Sequence, residues 1–199
     1  MEKFESLPAD KQKKIIDAAL TVFGKYSYKK ASANDIAVAA EISKGMVFHY
    51  FGCKKDLYLY LVKMCGDILT AEQKKHSDKM SADFFDRIKF ATLIKISAVK
   101  QHPAILEFLK NVYFETDPEV EEEIRMMTSS GVKNSWEMLL SGIDTSKFKN
   151  PSAPILLAKL LRWAGDGVME DRYEGKDIDA RMEEYIACID IMKENFYYE

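Results

Sequence analysis

The spacing of apolar residues along the chain predicts a protein built from α-helices. In the first predicted helix, which begins after Pro8 and ends at Gly24, apolar residues recur at intervals of three and four, the spacing of one buried helix face. These residues are Ile16, Ala19, Leu20 and Phe23. Clean apolar and polar alternation between Asn-Gly or Asp-Gly turns, the mark of hairpin strands, is missing from the sequence. We therefore expect an all-α fold of about nine helices.

Two short helices follow the first one. Ser32 and Asp35 form a predicted capping box, in which the Ser32 hydroxyl accepts from the Asp35 N–H and the Asp35 carboxylate accepts from the Ser32 N–H. The helix that they open covers residues 33–40, and Ser43 is the predicted cap of a second short helix that ends at Phe51. Two short helices joined by a turn of three to four residues form a helix-turn-helix unit.

The rest of the chain has the spacing of six longer helices. Breaks are expected at Gly52-Cys53, at Pro103 and at Asp117-Pro118, with Asp117 as the N-cap and Pro118 as the first helical residue. The predicted ranges are 54–75, 81–101, 103–115, 118–141, 153–173 and 177–197. The break before residue 54 divides the chain into a helix-turn-helix domain, residues 1–53, and a larger helical domain, residues 54–199.

Composition and charge narrow the class of protein. Residues 1–65 carry 11 Lys and Arg against 7 Asp and Glu, a net charge of +4, whereas residues 66–199 carry 18 against 25, a net charge of −7. A basic domain joined to an acidic one is typical of a DNA-binding domain attached to another domain. The sequence has neither a secretory signal nor an apolar run long enough to cross a bilayer, so we expect a cytoplasmic protein without membrane contact.

The second short helix carries the candidate chemistry. A helix that enters the major groove presents small or polar residues at its N-terminal end. Here those residues are Ser43, Lys44, Gly45 and Met46. Gly45 lets the backbone approach DNA closely, Lys44 is placed for a base edge or a phosphate, and Met46 for a thymine methyl group.

The residues after this end have two interpretations each. His49 and Tyr50 are placed for the phosphate backbone, although His49 is equally well an idle surface histidine, and Tyr50 a core aromatic like Phe51. Lys54 and the N–H groups that open the next helix offer a second phosphate grip. An ordinary solvated helix start is the alternative for Lys54 and Lys55, but cations there oppose the helix dipole, which favours an anion nearby.

This stretch resembles the N-terminal signature of the TetR (tetracycline repressor) family. The matching landmarks are Ile36-Ala37, Ser43-Lys44-Gly45, the aromatic pair that ends in Phe51, and Lys54-x-x-Leu57, and the resemblance covers about residues 8–60. It implies a homodimeric DNA-binding regulator, a repressor released from a palindromic operator by a small-molecule effector, with no enzymatic activity and no cofactor. It also implies that Tyr50 and Lys54 clamp phosphates. The complete expected set of DNA contacts is Ser32, Asn34, Ser43, Lys44, Gly45, Met46, His49, Tyr50 and Lys54.

Three positions depart from the family pattern. Glu41 stands between the two short helices, and Ser27 before Tyr28, where the family usually has glycine. A left-handed backbone at Glu41 would cost on the order of 1 kcal/mol. Phe48 stands where tyrosine is frequent, which removes one possible hydroxyl–phosphate contact.

The second half is expected to bind the effector and to form the dimer. The resemblance implies a pocket among the middle helices, for which the candidate wall residues are Phe90, Tyr113, Phe114, Trp136 and Trp163. Each of these aromatics is alternatively an ordinary core residue. Gly165 and Gly167 weaken a helix interior, for which close helix packing would compensate, and the last two helices of TetR-like proteins pack into a dimeric four-helix bundle.

Two other classes of function remain as alternatives. A helical enzyme is disfavoured because the sequence has no Gly-rich phosphate loop, nucleophile elbow or metal-ligand cluster, so neither catalytic nor metal-binding residues are expected. A protein-interaction module is disfavoured because the exposed end of the second short helix is small and cationic rather than apolar.

Overall fold

The computed structural model describes residues 2–100, 102–169 and 178–198, and the all-α prediction is confirmed. The described residues form ten α-helices, one short 3-10 turn (Ser77–Lys79) and two isolated β-bridges. The helices are α1 (Glu2–Glu5), α2 (Ala9–Lys25), α3 (Ala33–Ala39), α4 (Lys44–Phe51), α5 (Lys54–Lys75), α6 (Phe84–Lys100), α7 (Pro103–Tyr113), α8 (Glu121–Leu140), α9 (Ala153–Met169) and α10 (Ile178–Phe196). Helix α1 is the one that the apolar spacing does not predict. None of the described helices has the length and apolar character needed to cross a membrane.

The predicted start of α8 is wrong by one turn. The backbone carbonyl of Asp117 accepts from the N–H groups of Val120 and Glu121, at 3.0 and 2.9 Å, and its Oδ1 atom accepts from Glu119 at 2.9 Å. Asp117 therefore opens and caps the turn that contains Pro118, and helix α8 follows that turn from Glu121. The carboxylates that follow Pro118 still lie at a helix start, where they complement the dipole.

The described chain packs into two compact units. Unit 1 comprises Met1–Glu72 and Ile96–Val132, and unit 2 comprises Gln73–Lys95 and Lys133–Glu199. The packing does not divide at residue 53, because the first half of α5 places the fully buried Leu57 in the core of unit 1. The division into a DNA-binding domain of residues 1–53 and an effector domain of residues 54–199 stays a prediction about function.

In unit 1, α2 packs closely on α7. The rings of Phe23, Tyr58 and Phe108 are fully buried and meet at centroid distances of 4.9 Å (Phe23–Tyr58) and 5.3 Å (Tyr58–Phe108). Gly24 permits the close approach, because a Cβ atom there would lie 3.1 Å from the Glu107 Cβ atom and from the Phe108 backbone nitrogen. The predicted end of the first helix at Gly24 therefore has a packing reason rather than a capping one.

Unit 2 has its own aromatic core, bordered by a group of ions. Phe84, Phe85, Phe148 and Tyr197 are buried and in ring contact. The side chain of Asp83 is almost fully buried beside them. Burial alone would raise the pKa of the Asp83 carboxyl, but a backbone N–H and two ammonium groups outweigh burial and lower the pKa below 3.8. These donors belong to Asp86, Lys147 and Lys193.

Candidate nucleic-acid interface

Helices α3 and α4 form the predicted helix-turn-helix, and Ser32 caps the first of them. The Ser32 Oγ atom accepts from the Asp35 N–H at 3.1 Å, as predicted. The reciprocal half of the capping box is wrong, because the Asp35 carboxylate accepts from the Ser32 hydroxyl at 2.7 Å instead of from its backbone N–H. Ser32 is half-buried and Asn34 is exposed on the first turn of α3, so their proposed contacts with DNA remain predictions.

Glu41 adopts the left-handed backbone that its position demands. Its φ angle is 55°, the positive value that the sequence comparison with glycine anticipates. The Ile42 N–H donates to the Ala37 carbonyl across this residue at 2.9 Å, which is the hydrogen bond of a helix C-terminal cap built on a left-handed residue. The carboxylate forms an exposed ion pair with Lys14 at 2.5 Å, which lowers the pKa of Glu41. The turn keeps its geometry at the cost of backbone strain.

The N-terminal end of α4 is open to the surroundings. Ser43 is at the N-cap position but makes no side-chain capping bond, and Ser43, Lys44 and Gly45 are all exposed. The Lys44 ammonium lies 6.0 Å from the centroid of the Phe48 ring. A Cβ atom at Gly45 would meet only the Ser43 Oγ atom, at 3.9 Å, so the protein's own packing does not require glycine there. Met46 is half-buried against the core of unit 1.

The other end of α4 is largely anchored in the core. Tyr50 is 5% exposed and Phe51 is 4% exposed, whereas His49 is exposed. Helix α1 places the buried Phe4 ring against both, at centroid distances of 6.3 Å from Tyr50 and 4.7 Å from Phe51. The core interpretation of Phe51 agrees with this packing. Tyr50 packs in the same way, and its clamping of a phosphate stays a prediction.

Lys54 and Lys55 both have partners inside unit 1. The Lys54 ammonium donates to the Tyr28 carbonyl at 2.9 Å and to the Ala31 carbonyl at 3.4 Å, and lies 4.1 Å from the centroid of the Tyr28 ring. Lys55 forms an ion pair with Glu123 at 2.5 Å, and this contact raises the pKa of Lys55. Two cations at a helix start predict a nearby anion, and for Lys55 that anion is the Glu123 carboxylate of the same chain.

Several residues that hold the interface in place were not found from the sequence. The Asn111 amide donates to the Phe23 and Gly24 carbonyls, at 2.8 Å each. Glu115 accepts from the Tyr28 N–H at 2.7 Å, at the start of the connection between α2 and α3. These partners lie more than 80 residues apart in the chain, so no local spacing could indicate them. Phe4, an isolated aromatic in a polar segment, was the one available signal.

The predicted pocket residues are distributed over both units. Phe90 and Trp136 are half-buried in unit 2, where Phe90 meets the His76 ring at a centroid distance of 6.2 Å. Trp163, also in unit 2, is 58% exposed. Tyr113 and Phe114 lie at the end of α7 in unit 1 and are 48% and 37% exposed. Membership of one effector pocket stays a prediction for all five.

The two glycines of α9 have different surroundings. Gly165 faces α10 of the same chain, since a Cβ atom there would lie 3.6 Å from the Tyr185 hydroxyl oxygen. That hydroxyl donates to the Leu161 carbonyl at 2.9 Å. Gly167 is exposed, and a Cβ atom there would meet nothing within 4 Å. The structure thus explains Gly165 by packing between α9 and α10, and the place of both glycines in a dimer interface stays a prediction.

Sequence comparison points to one family for the N-terminal region. Residues 15–61 match the family model described as bacterial regulatory proteins, tetR family. Over 56 residues the chain is 39% identical to the biofilm operon icaADBC HTH-type negative transcriptional regulator IcaR of Staphylococcus aureus. That match covers 28% of this chain and 30% of IcaR, so the chain spans less than a third of this relative's length.

Comparison with solved structures extends the likeness in fold to nearly the whole chain. A TetR family transcriptional regulator from Chloroflexus aurantiacus superposes with a TM-score of 0.72 at 20% identity, over 100% of this chain and 99% of that one. The fatty acid degradation regulator FadR from Bacillus halodurans gives a TM-score of 0.72 at 17% identity, over 92% and 96%. FadR from Bacillus subtilis, whose structure was solved in complex with stearoyl-CoA, gives a TM-score of 0.66 at 16% identity. This likeness covers 89% of this chain and 96% of that one. Residues 15–61 thus match the tetR family of bacterial regulatory proteins, and over nearly its whole length the chain has the fold of solved TetR-family regulators.

Proposed function

We propose that the chain is a homodimeric, sequence-specific DNA-binding regulator, a repressor that a small-molecule effector releases from a palindromic operator. The observation that carries this proposal is the exposed N-terminal end of α4, where Ser43, Lys44 and Gly45 project from a helix whose other face is buried. A short helix anchored on one side and tipped with small and cationic residues suits entry into the major groove. The negative regulation named for IcaR supports repression rather than activation.

Gly45 gives this proposal a sharp test. Because its Cβ position is open, Gly45→Ala should leave the fold intact or stabilise it by up to about 1 kcal/mol, the helix preference of alanine over glycine. The added methyl group would nevertheless stand between α4 and DNA. Gly66 of α5 is a matched control, since it is also an exposed helical glycine whose Cβ position is open.

The two variants are compared with wild type on an operator selected from random duplexes. Thermal unfolding should show that both are at least as stable as wild type. In gel shifts, Gly45→Ala should bind the operator about tenfold or more weakly, which corresponds to the loss of one base contact, and Gly66→Ala should bind like wild type. Equal operator affinities for Gly45→Ala and wild type would contradict the placement of α4 in the major groove.

Lys44 tests the electrostatic part of the interface. Wild type should show a steep fall of operator affinity with rising salt, because each neutralised phosphate releases counterions. If Lys44 contacts a phosphate, Lys44→Ala should lower this salt-dependence slope by about one. If Lys44 contacts a base edge, Lys44→Ala should lower the preference for the operator over other sequences by about 1–3 kcal/mol. A folded Lys44→Ala protein that keeps both the slope and the preference would remove Lys44 from the interface.

The proposed dimer rests on the outer face of α9 and α10. Leu156, Leu160 and Trp163 are 57%, 45% and 58% exposed, and their spacing of four and three residues puts them on one face of α9. Ile191 of α10 is 59% exposed. A row of exposed apolar side chains on a helix is typical of a protein–protein interface. The last two helices are also those that the family resemblance assigns to dimerisation.

Leu160→Glu tests this face without disturbing the packing of Gly165 on Tyr185. We expect a folded monomer in sedimentation at micromolar concentration, where wild type should be a dimer. Leu93 of α6, which is also 45% exposed, provides the matched control Leu93→Glu, and this variant should remain dimeric. A monomeric wild type, or a dimeric Leu160→Glu variant, would refute the assignment.

A further inference from the structure

Three polar side chains from three helices meet inside unit 2. The Lys95 ammonium of α6 donates to the Ser135 hydroxyl of α8 at 3.4 Å, and that hydroxyl donates to the Gln73 Oε1 atom of α5 at 2.9 Å. Gln73 is only 2% exposed, and its Nε2 atom has no hydrogen-bond partner within the described chain. Exchanging the amide oxygen and nitrogen would move the unpaired group to the oxygen but would not remove it.

The positive charge of Lys95 lacks a partner of opposite charge among the described residues. Its only hydrogen bond within the described part of the chain is the long one to Ser135, and burial lowers the pKa of the ammonium group. Four other lysines of unit 2 lie within 2.5–3.8 Å of a carboxylate, two of them exposed and two, like Lys95, half-buried. These are Lys89, Lys133, Lys147 and Lys193. Among the described residues, Lys95 thus lacks the counter-charge that these four lysines have.

A half-buried ammonium without a counter-charge and a buried amide nitrogen without a hydrogen-bond partner are each unfavourable, and the side chains of Lys95 and Gln73 both contact Ser135. A single group that accepts hydrogen bonds and carries negative charge would satisfy both. Apolar residues of α6 and α8 lie near the cluster along the helices: Ile94 and Leu139 are buried and Trp136 is half-buried. Lys95 is itself half-buried, so the cluster is not sealed from solvent.

We propose that Gln73, Lys95 and Ser135 bind the head group of an oxyanion, a carboxylate or a phosphate, that is carried on an apolar body. If the proposed function holds, this cluster recognises the effector, and the effector is an amphipathic anion. The Lys95 ammonium supplies the charge, the Gln73 amide supplies a neutral donor, and the Ser135 hydroxyl orients the two. A neutral ligand of the same shape would leave the ammonium without a counter-charge.

The experiment uses the full chain without DNA and four probes: octanoate, octyl phosphate, octan-1-ol and inorganic phosphate. Calorimetry should show that octanoate or octyl phosphate binds at least about tenfold more tightly than octan-1-ol, the discrimination expected for one charge-assisted hydrogen bond. The comparison of octanoate with octyl phosphate separates the two head groups. Stronger binding of inorganic phosphate than of either octyl anion would contradict the apolar body.

Lys95→Met should abolish the preference for the anions, whereas Lys159→Met, an exposed lysine of α9, should keep it. Gln73→Glu places a carboxylate beside Ser135 and should block the anions while it raises the unfolding temperature. This variant also serves if Lys95→Met does not fold. If neither octyl anion binds wild type better than the alcohol, or if Lys95→Met retains the preference, the proposal is overturned.

Because these measurements need no operator, they can fail independently of the proposed function. If the chain binds octanoate through Lys95 but binds no DNA, the anion site is supported and the proposed function is contradicted. If the chain binds its operator but prefers the neutral probe, the proposed function is supported and the anion site is contradicted.

Discussion

Lys54→Met separates a structural role of the first lysine of α5 from a role in DNA binding. Methionine keeps the length and the apolar stem of the side chain but removes the ammonium. The change deletes the 2.9 Å hydrogen bond to the Tyr28 carbonyl, the 3.4 Å bond to the Ala31 carbonyl, and the cation–π contact at 4.1 Å. These contacts fasten the start of α5 to the connection that leads into the helix-turn-helix.

The magnitude follows from the geometry. A hydrogen bond from a charged donor contributes about 1.5–3 kcal/mol, and a partly desolvated cation–π contact adds about 0.5–2 kcal/mol. The half-buried ammonium recovers part of this in water, and the 3.4 Å bond is too long to contribute much. We therefore expect Lys54→Met to lower the free energy of unfolding by about 2–3 kcal/mol.

The assay is thermal unfolding followed by far-ultraviolet circular dichroism, with operator affinity measured in parallel. A loss of this size should lower the Tm by about 4–12 °C for a protein of this length. Both tryptophans, Trp136 and Trp163, lie in unit 2, so their fluorescence reports that unit separately and should change less. Lys44→Met, at an exposed position of α4, is the control and should leave the Tm within about 2 °C of wild type.

The opposite result would refute the structural reasoning. If Lys54→Met unfolds within about 1 °C of wild type but binds the operator tenfold or more weakly, the carbonyl contacts contribute little and Lys54 acts on phosphate, as the family resemblance implies. If Lys54→Met lowers both the Tm and the operator affinity, DNA binding is measured well below the Tm of the variant, where the protein is folded. A loss of affinity that persists there is a direct effect on DNA binding.

Three further changes test particular features of the two units. Glu41→Gly should stabilise the chain by about 1 kcal/mol, because it relieves a left-handed φ of 55°, and a lower Tm would contradict the assigned strain. Gly24→Ala should destabilise it by about 1–3 kcal/mol in urea unfolding, since the new methyl would lie 3.1 Å from the Glu107 Cβ atom; an unchanged midpoint would mean that α2 and α7 separate easily. The pKa of Asp83 is lowered on folding, so its contribution is present above about pH 4 and lost as the pH falls toward the folded pKa. Asp83→Asn should therefore be less stable than wild type at pH 7, and its free energy of unfolding should fall less steeply as the pH is lowered below about 4. A fall as steep as that of wild type would exclude Asp83 as a cause of the acid dependence.

Much of the fold could be predicted from the sequence because its signals are local. Helix spacing, prolines and capping residues act over a few positions, and the predicted helices agree with the observed ones to within a few residues where the structure describes the chain; residues 101, 170–173 and 177 of the predicted ranges lie outside the described residues. The sequence left open whether Glu41 keeps the turn geometry that is usual with glycine, and the structure shows that it does, with a φ of 55°. Helix α1 was missed because four residues are too few for a periodic signal, and its Phe4 is buried by contacts with residues more than 40 positions away.

The contacts of the lysines, in the candidate interface and in unit 2, were predicted less completely. Lys44, Lys54, Lys55 and Lys95 look alike in the sequence, but they have four different environments. Lys44 is exposed, Lys54 binds two carbonyls, Lys55 pairs with Glu123, and Lys95 has no carboxylate among the described residues. A sequence motif predicts the position of a lysine on its helix. The contacts of its ammonium group depend on residues that are distant in the sequence and close in the tertiary fold. A lysine in such a motif is therefore assigned to DNA only when its replacement weakens operator binding and leaves the stability of the protein unchanged.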